Sequence, residues 1–369
     1  MPDTIPEVDP GWLTVTLRES GAMPSGQVIA VRVEPTDAHN SRTVRLNLRL
    51  SEDAPAGLAR KLILKRNAAA AWSVQAGQAE VAFYRVVAPL ASHPPVTVPC
   101  LASGIDDDTG DSFVLLADLS DTHRVVVPRD VQIAMVNGVP PDEQIKAVVD
   151  TLATLQGYWW ERMTDAFEVA DWARDEACIN AFLARRTTAW RKVLSQHGGW
   201  LPADVVNLYE GLLPRFFGYW QRELKDRMRD QKNLTLVHGD AYFANFLAPI
   251  TPDLGHAFLI DWQSPSFDIG ASDLVNMCAT WWTSAQRNER GREGWILGRY
   301  HSQLLAAGVT DYAFDDLRSD YAGALVDWVM VPVQDAADGS ALSYWWPKMQ
   351  CLISAYRDWD CESLLDPRG

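Results

Sequence analysis

Residues 234–261, LTLVHGDAYFANFLAPITPDLGHAFLID, place His238, Asp240, Asn245 and Asp261 in one short span between two apolar segments that read as strands. Moving a phosphoryl group asks a protein for positioning and charge neutralisation more than for covalent chemistry. One carboxylate must take the proton of the acceptor hydroxyl. Asp240 is the candidate, because it stands at a His-Gly turn directly after an apolar run, where a tight backbone presents it to a cleft. Asn245, five residues later, and Asp261, at the end of the second apolar run, supply the oxygen ligands that a small hard cation such as magnesium prefers. Each of these alone is an ordinary turn or strand-end residue. Together they point to phosphoryl transfer.

The elements that must position a nucleotide for such a reaction lie upstream. Residues 13–17, 28–33, 43–50 and 62–64 alternate and are partly β-branched, which predicts strands of an antiparallel sheet. The segment joining the first two, SGAMPSGQ, carries Ser25 and Gly26, whose backbone N–H groups would suit a phosphate, although a plain hairpin loop explains the same residues. Lys65 ends the run 62–64. The helical segment EVAFYRVVAPL begins with Glu80, an acid able to pair with Lys65 and so aim its ammonium at nucleotide phosphates. After a proline-marked loop, strands resume at 100–104 and 113–116 around the acidic turn DDDTGD, read as a solvated hairpin in preference to a calcium loop. Leu116, Ala117 and Leu119, in LADL, then form a natural hinge, dividing the chain into residues 1–119 and 120–369.

Beyond the hinge the pattern is helical. Asp142 follows two prolines as a helix cap, and apolar residues from Ile145 to Trp159 recur at helical spacing. Further helices are predicted over about 175–195, 203–229, 285–307, 313–333 and 341–359, with Gly308 ending the one over 285–307. Tryptophan is abundant at 16 residues, and most should pack between helices; Trp281 and Trp282, which follow Asp261 most closely, are the candidates for substrate contact.

Composition removes several function classes. At 369 residues with 47% hydrophobic content the chain suits two lobes with a sizeable core. Its net charge of −15 is spread, with 10 Lys/Arg against 15 Asp/Glu in residues 1–121 and 23 against 33 in the remainder. A nucleic-acid binder would show a basic face. Five scattered cysteines without a Cys-x-x-Cys pair fit reduced thiols, and the opening MPDTIPEVDP has no basic region followed by an apolar run. With no apolar stretch near the length of a membrane span, a cytoplasmic protein without nucleic-acid or membrane partners is expected.

LILKR around Lys65, EVAFYR from Glu80, LADLSDTH, the helix ending in Trp159 and Trp160, LVHGDAYFANFL, LIDWQ, FDIGASDL and RYHSQLLAAGV together resemble the aminoglycoside phosphotransferase and choline kinase-like family, within it the bacterial relatives of ecdysteroid-kinase-like proteins. The resemblance covers most of the chain. It implies an α+β, protein-kinase-like bilobal fold, with a small β-rich nucleotide lobe and a larger helical lobe. It implies ATP (or GTP) and Mg2+ as cofactors and a small-molecule hydroxyl as acceptor. By the same resemblance Asp240 is the base, Asn245 and Asp261 bind metal, Lys65 binds phosphate with Glu80 as its partner, and the backbone at Leu116, Ala117 and Leu119 faces the adenine. His238 and Asp273 support the loop. Trp262 and Gln263 replace the Phe-Gly that follows the metal-binding aspartate of protein kinases, which favours a small-molecule substrate; Gln156 stands where a histidine commonly precedes the paired tryptophans, which leaves the substrate class open. An aminoglycoside-like polyamine would suit the acidic charge, a choline-like cation an aromatic cage, and a sterol-like alcohol the tryptophan-rich lobe. A catalytically silent nucleotide-binding protein on the same fold is the rival reading.

Overall fold

The computed structural model describes residues 8–36, 41–68, 70–135, 138–164, 167, 169–170 and 172–366; most of the opening segment MPDTIPEVDP therefore lies outside the described residues. The chain divides into two compact units. One comprises residues up to Arg124 together with Pro249–Pro265, and the other Val125–Ala248 and the chain from Ser266 onward. This differs from a division at 119/120 chiefly in returning 249–265 to the first unit. The return has a local cause: the Leu259 N–H donates to the Val96 carbonyl at 2.9 Å, and Leu259 bridges Thr97 in parallel.

The first unit opens with helix α1 (Pro10–Glu19), where a strand was expected over 13–17. Thr14, Val15 and Thr16 imitate strand alternation, but the Asp9 carboxylate accepts the Trp12 N–H at 2.9 Å and Pro10 sits in the first turn, where a missing N–H costs nothing. Leu13 and Leu17, one helical turn apart, are both fully buried. Strands β1 (Val28–Pro35), β2 (Ser41–Leu50), β3 (Lys61–Asn67), β4 (Cys100–Ile105) and β5 (Ser112–Ala117) form one antiparallel sheet in the order β1-β2-β3-β5-β4. The two-residue period turns Leu62 and Leu64 to the core shared with Leu13, Leu17, Leu46 and Leu115. Lys65 accordingly points to the opposite face, where helix α2 (Ala71–Val87) packs. The β4–β5 turn is closed locally, by the Asp106 carboxylate accepting the N–H groups of Asp108 and Thr109.

The second unit is largely helical: α3 (Arg129–Ile133), α4 (Asp142–Trp159), α5 (Glu176–His197), α6 (Ala203–Tyr219), α7 (Lys225–Asp230), α8 (Ala271–Ala279), α9 (Ser284–Asn288), α10 (Arg292–Ala306), α11 (Phe314–Trp328), α12 (Val331–Ala337) and α13 (Leu342–Asp358). Asp142 is the first residue of α4 and not its cap; behind Pro141 its carboxylate complements the positive end of the helix. The helix expected over 203–229 is interrupted by a π turn at Trp220–Leu224, and that over 313–333 breaks ahead of Pro332, which lacks the N–H to continue it. Gly308 follows α10 at φ +98°, a conformation glycine adopts without cost. Two short antiparallel strands, Thr235–Val237 and Ser266–Asp268, pair in this unit and lead into the loop bearing Asp240 and into α8. The five cysteines are free thiols, and among the described residues no helix is long and apolar enough to cross a membrane.

Candidate active site

In the first unit, the sheet and α2 bring three of the predicted residues together. The Lys65 ammonium lies 2.6 Å from the Glu80 carboxylate and also pairs with Asp261. Glu80 is 2% exposed, so burial raises its pKa while the Lys65 charge pulls it back. Burial likewise disfavours the Lys65 ammonium, but the Glu80 and Asp261 carboxylates outweigh it and hold the lysine charged well above its ordinary value. Asp261 itself sits at φ +69°, in the left-handed region. The following residue explains how that conformation is held. Trp262 is fully buried and stacks on Phe83 of α2, with ring centroids 3.7 Å apart and planes 8° from parallel. The helix that carries Glu80 therefore also pins the turn that carries Asp261. A small recess beside Lys65 is lined by Asn67, Ser73, Ser112, Phe113, Val114 and Gln263.

The hinge residues are fixed by the same sheet. Leu116 pairs with Ile63 and Cys100; the N–H groups of Ala117 and Asp118 donate to Pro99 and Lys61. The Leu119 carbonyl accepts from Thr122 and His123. Ser25 and Gly26 are placed otherwise than a strand-to-strand phosphate loop. They follow α1, the Ser25 hydroxyl donates to the Asp53 carbonyl at 2.7 Å, and the Gly26 carbonyl accepts from Arg18. At Gly26, φ is +79° and a Cβ would meet the Ala54 backbone at 2.6 Å, so glycine is required there by packing.

In the second unit, the loop after Thr235–Val237 is held from below by Asp273 of α8. Its two carboxylate oxygens accept the N–H groups of His238 at 2.8 Å and Gly239 at 2.9 Å, and Gln156 adds its side-chain amide at 2.9 Å. Burial pushes the Asp273 pKa up to about 7, although the two backbone donors pull the other way. His238 is fully buried, and its Nδ1 faces the Asp240 N–H at 3.2 Å. The Asp240 side chain reaches solvent. Neutral amides hold it: Asn276 donates to one carboxylate oxygen at 3.2 Å, and Asn245 to the other at 3.2 Å and to the Asp240 carbonyl at 2.8 Å. With its nitrogen so engaged, Asn245 keeps its carbonyl oxygen as the donor a hard cation would use.

Asn276, Gln156 and Tyr300 are contributors that sequence reasoning missed or misplaced. Asn276 lies three residues after Asp273 on α8, a spacing that puts both on one helical face and marks it in retrospect. Gln156, read as a question about substrate, is fully buried. It links Asp273, the Tyr300 hydroxyl and, through its carbonyl, the Thr235 hydroxyl, so it acts on the loop. The paired tryptophans separate. Trp282 is core, stacked on Phe243 and donating to the Gly138 carbonyl at 3.1 Å. Trp281 belongs to a small cluster with Tyr242 and Ala244, directly after Asp240 in the chain.

The class these features define is the kinase-like fold, and solved structures share it. A choline kinase from Cryptosporidium parvum Iowa II is 7% identical, with 91% of each chain covered and a TM-score of 0.56. A microcompartment-associated aminopropanol kinase is 12% identical over 91% of this chain and 94% of that one, with a TM-score of 0.54. An APH(2″) enzyme solved with GDP and kanamycin is 13% identical, covering 96% and 97%, with a TM-score of 0.51. No curated protein matches the sequence. Residues 45–318 match the model of the phosphotransferase enzyme family (APH), and the chain belongs to that family: it is a phosphotransferase.

Proposed function

We propose that this phosphotransferase moves the γ-phosphoryl group of ATP or GTP, with magnesium, to a hydroxyl of a small molecule. The observation that carries the reading is the state of Asp240: a solvent-reaching carboxylate, oriented by two amides and neutralised by neither. A carboxylate held at the surface in this way can take the proton of an acceptor hydroxyl. In the transfer, the acceptor oxygen bonds to the γ-phosphorus as the bond from phosphorus to the β,γ-bridging oxygen breaks. The nucleoside diphosphate leaves with that electron pair, and the hydroxyl proton passes to Asp240. Lys65, oriented by Glu80, would neutralise phosphate charge, and the hinge backbone at Leu116, Ala117 and Leu119 would receive the base. Asn245 and Asp261 offer oxygen donors suited to magnesium, which when bound supplies further neutralisation of the phosphates. Trp262, buried against α2, and Gln263 leave no protein-kinase-like Phe-Gly after Asp261 and support a small-molecule acceptor.

The test is magnesium-dependent consumption of ATP and GTP across a panel of hydroxyl metabolites, with Asp240→Asn as the critical variant. Turnover should fall by about a thousandfold or more while nucleotide affinity stays within a few-fold. Full turnover in that variant would remove Asp240 from the base role, and absence of nucleotide consumption with the whole panel would favour a silent binding protein.

A further inference from the structure

Beside Asp240 the second unit carries an aromatic wall whose charges run against the acidic character of the chain. Tyr242, Ala244 and Trp281 form a cluster of their own, with Ile133 and Tyr344 packed against it. The cluster is tied to the base on two sides, because Tyr242 follows Asp240 by two residues and Trp281 follows Asn276, whose amide holds Asp240, by five. Two cations face this wall. The Arg129 guanidinium of α3 stands 5.5 Å over the Tyr344 ring, and the Lys348 ammonium of α13 stands 5.5 Å from the same ring and 6.0 Å from that of Trp281.

The two cations differ in what they already hold. Lys348 is buried and paired with Asp335 at 2.9 Å. Arg129 is half-buried over the Tyr344 ring, and among the described residues no carboxylate lies within ion-pair distance of it. Elsewhere in this unit Arg215, Arg227, Arg229 and Arg287 are matched to carboxylates, while Arg318, like Arg129, lies over an aromatic ring. In a chain of net charge −15, a guanidinium on this wall with no carboxylate partner among the described residues offers an anion a grip. Its neighbour on α3 repeats the pattern in neutral form: Gln132 is fully buried, its side-chain oxygen accepts the Ala244 N–H at 3.2 Å, and its side-chain nitrogen has no acceptor among the described residues. Ammonium-bearing alcohols meet the opposite situation. The aromatic faces that would attract them are already covered by Arg129 and Lys348, and like charge repels.

We propose that the acceptor is an anionic alcohol, a hydroxyl compound bearing a carboxylate on a flat or apolar body, with Arg129 gripping the carboxylate and Tyr242, Trp281 and Tyr344 the body. This rests on Asp240 being the base, and the transfer step is the one written above, the carboxylate remaining unchanged. The test measures equilibrium binding by tryptophan fluorescence for three probes that differ in one group: 4-(hydroxymethyl)benzoate, 4-(hydroxymethyl)benzamide and 4-(hydroxymethyl)benzylammonium. The benzoate should bind about tenfold or more tighter than either partner, and Arg129→Gln should erase that margin while leaving benzamide binding within a few-fold. Arg129→Lys should retain part of it, and thermal melts of both variants check folding. The proposal is overturned if the ammonium probe binds best, if none of the three binds, or if Arg129→Gln leaves the order unchanged. Because binding is read without nucleotide, failure of phosphoryl transfer itself appears separately, as wild-type protein that orders the probes as expected but consumes no ATP or GTP.

Discussion

In the first unit the lysine is clamped between two carboxylates, whereas in the second the reactive carboxylate is held by side-chain amides. The two arrangements suit opposite tasks. Lys65 must stay charged to meet phosphate, and its Glu80 and Asp261 partners hold the ammonium form against the cost of burial. Asp240 must be able to take up a proton, and two of the groups that orient it are neutral amides. Asn276 and Asn245 supply direction without charge. The difference teaches that a phosphotransferase can separate charge neutralisation from proton acceptance by choosing the chemical type of the supporting residues.

Three measurements would break or sharpen that contrast. The largest effect should come from Lys65→Met, which leaves Glu80 buried without its counter-charge and should lower unfolding free energy by about 3–5 kcal/mol in urea. Adding Glu80→Gln should recover most of the loss; an unaltered midpoint in the single variant would show that the clamp is not what stabilises the region. Next comes a pH series. Burial raises the Asp273 pKa to about 7 in the folded protein, above its unfolded value, so between about pH 4 and pH 7 the native state keeps a proton that the unfolded chain has released. Its contribution to stability should therefore be fully present at low pH and decline as pH rises through that window, by up to about 4 kcal/mol, then level off. Asp273→Asn should flatten this part of the profile although it lowers stability throughout, since an amide cannot accept all of the donors that converge there. The smallest effect belongs to Asn276→Ala, expected to reduce kcat about tenfold, equivalent to about 1.4 kcal/mol, with nucleotide affinity unchanged. Asn276→Asp should be worse, because it sets a like charge beside Asp240.

Much of this was legible before any coordinates. The apolar runs around Asp240 and Asp261, the lysine at the end of β3 and the acid on α2 are local patterns, and local patterns survive folding. What local patterns do not show has physical causes. Residues 13–17 alternate as a strand does, yet Asp9 and Pro10 carry the stronger signal of a helix start. Residues 249–265 join the first unit through the pairing of Leu259 with Val96 and Thr97, a contact no local window contains. Trp281 and Trp282 are adjacent and chemically identical, so only their neighbours separate the cluster residue from the core residue. Gln156 was visible as an oddity, but its partners Asp273 and Tyr300 lie 117 and 144 residues away.

The discontinuity of the first unit also has a consequence in time. Lys65 and Asp261 are 196 residues apart in sequence, which at ribosomal rates corresponds to about 10–40 s of synthesis. Throughout that interval the nascent sheet and α2 exist without Asp261, and the ring of Phe83 waits uncovered for Trp262. The first unit to emerge is thus among the last to be completed, and a nascent chain arrested before residue 261 should offer chaperones an open aromatic face that the finished protein hides.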